Sequence, residues 1–421
     1  MDSKLRRAAR YAAFMELWAV AAAVGLSMVK PSLLPWAVLA ALVFWPVRWA
    51  AEGHPGRRTP ADWGIILLLT MLPVTLWATA LPEKTVPQVY RLVLGILFFY
   101  TIVNWVSLTN KLAWVIAGIL AAGIILSAMS VFSVTWVTKK LVFIPASVYR
   151  QFTLLVSDTV HPNVMGGNLA LILVIGAALL LYAWKSLKFW QNLLVLMITL
   201  VISGVILLTQ SRGALIGVGA ALVLLVVLRW KWGWIAFPAA ILVLGTAVHQ
   251  IGWDAALDFV AASVSVEGLQ GREEIWSRAI YMIQDFPFTG IGMGSFGEVA
   301  DLLYPFFLAA PGKAVHAHNL ILQIAVDLGI PGLIAWLSIC FVTGFTSWQL
   351  YRHGIKHNDR RAAALGAGFL GSQTVLLVHG MMDAIIWGMI RSAPLLWGLW
   401  GTAIAAWLLI KVDGYKLKVE E

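Results

Sequence analysis

LAWVIAGILAAGIILSAMSVFS, residues 112–133, runs for twenty-two positions without a charged side chain. A helix of that length spans about 30 Å, the thickness of a bilayer's hydrocarbon core. Similar runs recur from one end of the 421 residues to the other. Hydrophobic residues make up 61% of the chain and charged residues 12%. Soluble domains hold roughly 45–50% apolar and about 25% charged residues, so a soluble enzyme, a disordered chain and a coiled coil are excluded. The fold expected is an all-α polytopic membrane protein forming one integral domain over 1–421. The lone cysteine, Cys340, lies in an apolar run and rules out a disulfide framework. The twenty-two tryptophans suit membrane–water interfaces.

Twelve spans are predicted, at 11–29, 32–50, 63–81, 88–108, 112–133, 163–183, 190–209, 213–228, 233–249, 330–350, 362–382 and 392–410. The N-terminus reads as retained, because no small-residue cleavage site follows the first run. An even span count puts both termini on one side, and that side receives nineteen of the thirty Lys and Arg residues on much less loop. The positive-inside rule makes it the cytoplasm. The net charge of +10 is thus assigned to topology, and nucleic acid is not an expected partner.

Two segments on the other side are too long for turns, a smaller loop at 134–162 and a large one at 250–329. The large loop carries Glu267, Arg272, Glu273, Glu274, Asp285, Glu298, Asp301, Lys313, His316 and His318. Ile275, Ala279, Met282 and Ile283 share one face of a helix predicted over 272–284, so short ordered helices against the membrane are expected there.

Chemistry is sought among the outer-side residues. Arg212, in TQSRGALIG, sits at the junction of spans seven and eight. It either snorkels to the interface or meets an anion; Ser211 and Gly213 beside a helix N-terminus favour the anion. Arg272, in EGLQGREEIW, pairs with Glu273 or Glu274 or supplies a second cation. Two guanidinium forks suit a diphosphate. Arg278 reads as structural. The glycines of TGIGMGSF, 289–296, read as a tight turn seating the helix that carries Asp285; without a βαβ context, a nucleotide fingerprint is disfavoured.

HAHNLILQIAVDLGIPG, 316–332, places His318 and Asn319 before an apolar helix that breaks at Gly329 to Gly332. A neutral histidine is the natural base for a hydroxyl, with His316 next in line. A zinc site is not expected: His316 and His318 lack a nearby cysteine, and His161 and His249 are far off in sequence. His379 and Asp383, four apart at the end of span eleven, are an intramembrane ionisable pair, either bundle glue or a proton relay. Glu16 stands alone in span one, Arg91 and Arg391 read as interfacial anchors, and Arg150 and His161-Pro162-Asn163 border the outer cavity.

SRG at 211–213, GREEIW at 271–276 leading into TGIGMGSF, and HN at 318–319 followed after nine residues by Gly329-x-x-Gly332 together resemble the O-antigen ligase and polymerase superfamily of bacterial membrane glycosyltransferases, the ligases most closely. The resemblance covers roughly 160–400; the first half matches in hydropathy alone. It implies a GT-C-like fold and an inverting, metal-independent transfer without cofactor. The donor would be a polyprenyl (undecaprenyl) diphosphate-linked glycan and the acceptor a lipid A-core hydroxyl, as in lipopolysaccharide biosynthesis. The site would face the periplasm from the inner membrane. Arg212 and Arg272 would bind the diphosphate and His318 would act as base. A polymerase of the same superfamily differs only in its acceptor. A proton-coupled transporter using His379 and Asp383 predicts repeated halves, and no convincing repeat is seen.

Overall fold

Each of the twelve predicted apolar runs is helical in a computed structural model, which describes residues 3–136, 144–152, 154, 159–255, 268–308, 312, 314–384, 386–387 and 393–412. The spans are α1 (Ser3–Val29), α2 (Leu34–Glu52), α3 (Asp62–Ala78), α4 (Pro82–Thr109), α5 (Leu112–Ser133), α6 (Pro162–Ala183), α7 (Phe189–Thr209), α8 (Arg212–Arg229) and α9 (Ala236–Ile251). After α10 (Gly268–Asp285) and α11 (Phe296–Leu303) come α12 (Leu320–Lys356), α13 (Arg360–Gly380) and α14 (Ala393–Val412). Eleven of these are long and apolar enough to cross a membrane, whereas α3 is apolar but has only 17 residues. The protein is an all-α, multi-pass membrane protein. Among the described residues no strand forms; a single bridge, Val134 to Val160, closes the neck of the 134–162 segment. Glu267, Lys313 and Arg391 lie outside the described residues.

α13 is the central element, packed on α6, α8 and α12. In lipid, helices gain little from the hydrophobic effect and associate through close van der Waals contact, which small residues permit. α13 is built for this. Gly368 lies against Ile175 and Ala178 of α6, Gly371 against Val174 of α6 and Ala221 of α8, and Gly366 against the backbone of Tyr351 in α12. α14 packs on α4, and α1 on α2 and α4.

α12 is kinked. Gly329 leaves the helical region (φ 69°, ψ −179°), a conformation costly for any residue with a side chain. The carbonyl of Pro287 meets the chain there by accepting from Ile330 N at 2.7 Å.

The 268–319 segment has its own small core. Ile275, Ala279 and Met282 of α10 are buried with Ile291, Phe296, Ala300, Ala314, Ala317 and Val326. The predicted helix is present and starts four residues earlier than its pattern suggested.

Two expectations are corrected. Glu16 is not alone: it pairs with Arg48 of α2, and both are buried. Arg91 is not at a helix start, since α4 begins at Pro82; its guanidinium donates to Gln88 Oε1 at 3.0 Å.

A methyl group at Gly366 would run into the Tyr351 backbone. Overpacking of this kind costs about 1–3 kcal/mol. Gly366→Ala should lower the thermal unfolding midpoint in detergent, while the same change at Gly118, which has open space around it, should leave the midpoint unmoved.

Candidate active site

The start of α6, the turn before α12 and Arg272 of α10 are brought to the segment that follows α13, around Asp383. Asn163, in the first turn of α6, donates from Nδ2 to Asp383 Oδ2 at 3.1 Å. His316 Nε2 lies 3.6 Å and His318 Nδ1 3.7 Å from Asp383 Oδ1. Ala384 N donates to the same oxygen at 2.9 Å. Asp383 lies past the end of α13 rather than on its face, but its N–H still donates to His379 O at 3.0 Å. Carboxylate and imidazole therefore remain neighbours, as their spacing predicted.

The histidine turn is held from both sides. His318 has a left-handed backbone (φ 46°), an uncommon and costly state for a residue with a side chain. Asn319 caps α12, its Oδ1 accepting from Ile321 N at 3.0 Å and Leu322 N at 3.1 Å. Its Nδ2 donates to Met381 O at 3.3 Å, tying the turn to the Asp383 segment. Before the turn, Ala317 N donates to Gln323 Oε1 at 2.7 Å. The His316 and His318 rings lie 4.0 Å apart. His316 Nδ1 accepts from His318 N at 3.1 Å, so the His316 proton sits on Nε2, facing Asp383.

Arg272 is 1% exposed, and its Nη1 lies 3.1 Å from Met382 Sδ, next to Asp383. A guanidinium so withdrawn from water needs a counter-charge. Burial lowers its pKa and Asp383 opposes that shift.

Arg212 is half-buried at the first position of α8, capped by the buried Ser211, whose hydroxyl accepts from Ala214 N at 3.4 Å. The next residue, Gly213, abuts His379: a Cβ there would fall 2.5 Å from His379 Cδ2. The SRG junction thus packs on the histidine one turn before Asp383. His161 caps α6 by accepting from Asn163 N at 3.3 Å, and its charge, when present, disfavours charge on His316.

Other candidates fall elsewhere. Arg150 is exposed and is not among the side chains gathered on Asp383; its neighbour Tyr149 anchors that turn by donating to Leu208 O at 2.8 Å. His249 is exposed on α9. The TGIGMGSF turn seats on α12, not on the helix end at Asp285. Ile291 N donates to Val326 O at 2.9 Å, and Gly292 (φ 102°) presses on Thr79 and Thr85. Asp285 instead accepts from the Tyr304 hydroxyl.

Sequence reasoning gave the zinc question too few ligands. His316, His318 and Asp383 bring three potential ligand atoms within 4.8 Å of one another. Two features work against a cation there: the His316 nitrogen facing the group carries its proton, and Arg272 already supplies positive charge. Gln323, Asp327 and Trp387 were passed over as site residues, whereas Asn163 had been placed only at the border of the cavity. Asp327 carried the signal that picked out Asp383, a carboxylate within an apolar run.

Burial, reinforced by His318, pushes the His316 imidazole down to about 3. Burial alone would raise the Asp383 carboxyl; its pairing with His318 and the nearby imidazoles outweigh that and hold it below the usual carboxylate range. Both shifts have the same consequence. An unfolded histidine takes up a proton below about pH 6.5 that folded His316 refuses, so stability falls as pH drops through that window toward about 3. Asp383 adds to the loss at the acid end. The unfolding midpoint should therefore decline from about pH 7.5 to about pH 5, and His316→Asn should flatten the decline. Identical slopes for parent and variant would contradict this origin.

The O-antigen ligase family model matches residues 196–337, from within α7 to within α12. That stretch contains Arg212, Arg272, His316 and His318. No curated protein matches the chain. Over residues 196–337 the chain is similar to the O-antigen ligase family, and Arg212, Arg272 and His318 lie inside that stretch.

Proposed function

We propose that the protein is an O-antigen ligase, an inverting, metal-independent glycosyltransferase. It moves a glycan from a polyprenyl diphosphate carrier to a sugar hydroxyl of lipid A-core, at the periplasmic face of the bacterial inner membrane. Both termini would be cytoplasmic. The observation that carries this reading is the seating of His318 on Asp383 in the same buried cluster as Arg272.

In this reading His318 is the base. A proton on Nδ1, which lies 3.7 Å from Asp383 Oδ1, would leave the Nε2 lone pair for the acceptor hydroxyl. The hydroxyl oxygen attacks the anomeric carbon as the bond to the diphosphate oxygen breaks, inverting the centre. The proton passes to His318, and the already ionised Asp383 stabilises the imidazolium that forms. Negative charge grows on the departing diphosphate, and Arg272 and Arg212 meet it. Fixed cations in a site closed to water act through a low dielectric and require no reorganisation. A positioned base contributes typically ~10²–10⁴-fold and a charge-stabilising donor about 10²–10³-fold.

Full-length protein in proteoliposomes, given an undecaprenyl diphosphate-linked glycan and a lipid A-core acceptor, should form the glycosylated acceptor, and a chelator should leave the rate unchanged. His318→Ala, Arg272→Ala and Arg212→Ala should each lower kcat at least ~10²-fold while the proteins remain folded. Chains lengthening on the carrier alone would make the protein a polymerase. Full transfer by the His318 variant would remove the base assignment.

A further inference from the structure

One turn below Gln323, α12 carries a carboxylate that the transfer chemistry leaves unused. Asp327 is completely buried. A charged group at such a depth is expensive unless its surroundings are arranged for it. Among the described residues three donors converge on the Asp327 carboxylate, each from a different segment. Trp387 Nε1 donates to Oδ2 at 2.9 Å, Gln323 Nε2 to Oδ1 at 2.9 Å, and Gly294 N approaches Oδ1 at 3.4 Å.

These partners lead to the candidate site by separate routes. Gln323 uses its other amide atom, Oε1, to accept from Ala317 N at 2.7 Å, between His316 and His318. Its orientation is forced: reversing the amide would set NH2 against the Ala317 N–H and a carbonyl against the carboxylate. Trp387 lies four residues beyond Asp383 and its backbone N–H donates to Ala384 O at 3.2 Å, so the indole bond to Asp327 anchors the segment that carries Asp383. Gly294 belongs to the TGIGMGSF turn. Among the described residues the groups bonded to the Asp327 carboxylate are all donors, so an asparagine in its place would set an N–H against an N–H.

We infer that Asp327 is a positioning residue, holding His318 against Asp383 through Gln323 on one side and Trp387 on the other. The inference rests on the ligase reading above, in which His318 is the base. A misplacement of about 1 Å in such a site costs on the order of 10²-fold in rate.

The test uses full-length Asp327→Asn, Gln323→Leu and Gln323→Glu in proteoliposomes. Asp327→Asn should lower kcat for glycan transfer about 10²-fold, with donor KM essentially unchanged. Gln323→Leu should act in the same direction. Gln323→Glu should recover most of the rate, because a protonated carboxyl can accept from Ala317 and donate to Asp327. A second readout is independent of turnover: diethyl pyrocarbonate modification of His318, followed by mass spectrometry, should be several-fold faster in Asp327→Asn and Gln323→Leu. If Asp327→Asn does not fold, Gln323→Leu still decides. Wild-type kcat and labelling in the variants would overturn the proposal, as would a loss confined to KM. A parent protein inactive toward every lipid-linked donor would instead overturn the ligase reading.

Discussion

A carboxylate buried at the end of a membrane bundle must be compensated, and Asp383 obtains its compensation from parts of the chain far apart in sequence. Asn163 reaches it from α6 and His316 and His318 from the turn before α12, while Arg272 of α10, against the neighbouring Met382, adds a nearby positive charge. Removing one partner of a buried charge typically costs 3–5 kcal/mol, because what remains is a charge without its counterpart. The interaction therefore fixes relative position more than it adds stability. Segments separated in sequence by 220 residues, as Asn163 and Asp383 are, meet within hydrogen-bonding distance.

The bundle supplies what this centre needs from below. α13 delivers His379 and Asp383, and it can do so because its glycines let α6, α8 and α12 approach closely. α12 delivers the histidines and is bent at Gly329, where the carbonyl of Pro287 fills the gap and the glycine-rich turn docks on Val326. The 268–319 segment is thus bound to the kinked helix by backbone hydrogen bonds, and its short apolar core holds Arg272 against Met382, next to Asp383.

How much of this was legible in the amino-acid order follows from the range of each signal. The spans were legible because hydropathy is local; all twelve runs are helical, and α3 is merely short. His379 and Asp383 were legible because four residues is one helical turn. Arg272 and His318 were legible as chemistry through their motifs, but not as neighbours of Asp383, since no periodicity links the turn before α12 to the end of α13. The pairing of Glu16 with Arg48 was missed for the same reason. Arg150 illustrates the converse error: it stands in the right loop, but that loop is anchored through Tyr149, which leaves the arginine exposed.

The charges explain why the proposed chemistry needs more than one arginine. His316 is kept neutral by burial, and Asp383 is kept ionised by its partners. One carboxylate and one guanidinium then nearly cancel, so the resting cluster has little net charge to offer an incoming diphosphate. The second arginine of the proposed chemistry is Arg212, at the N-terminus of α8, where the first backbone N–H groups and the helix dipole also favour an anion. In the proposed transfer, as His318 gained a proton Asp383 would have a second cation to face, leaving more of the fixed Arg272 charge to act on the diphosphate. Positive charge would thus become available in step with its demand, which is the differential stabilisation of a transition state over a bound substrate that catalysis requires.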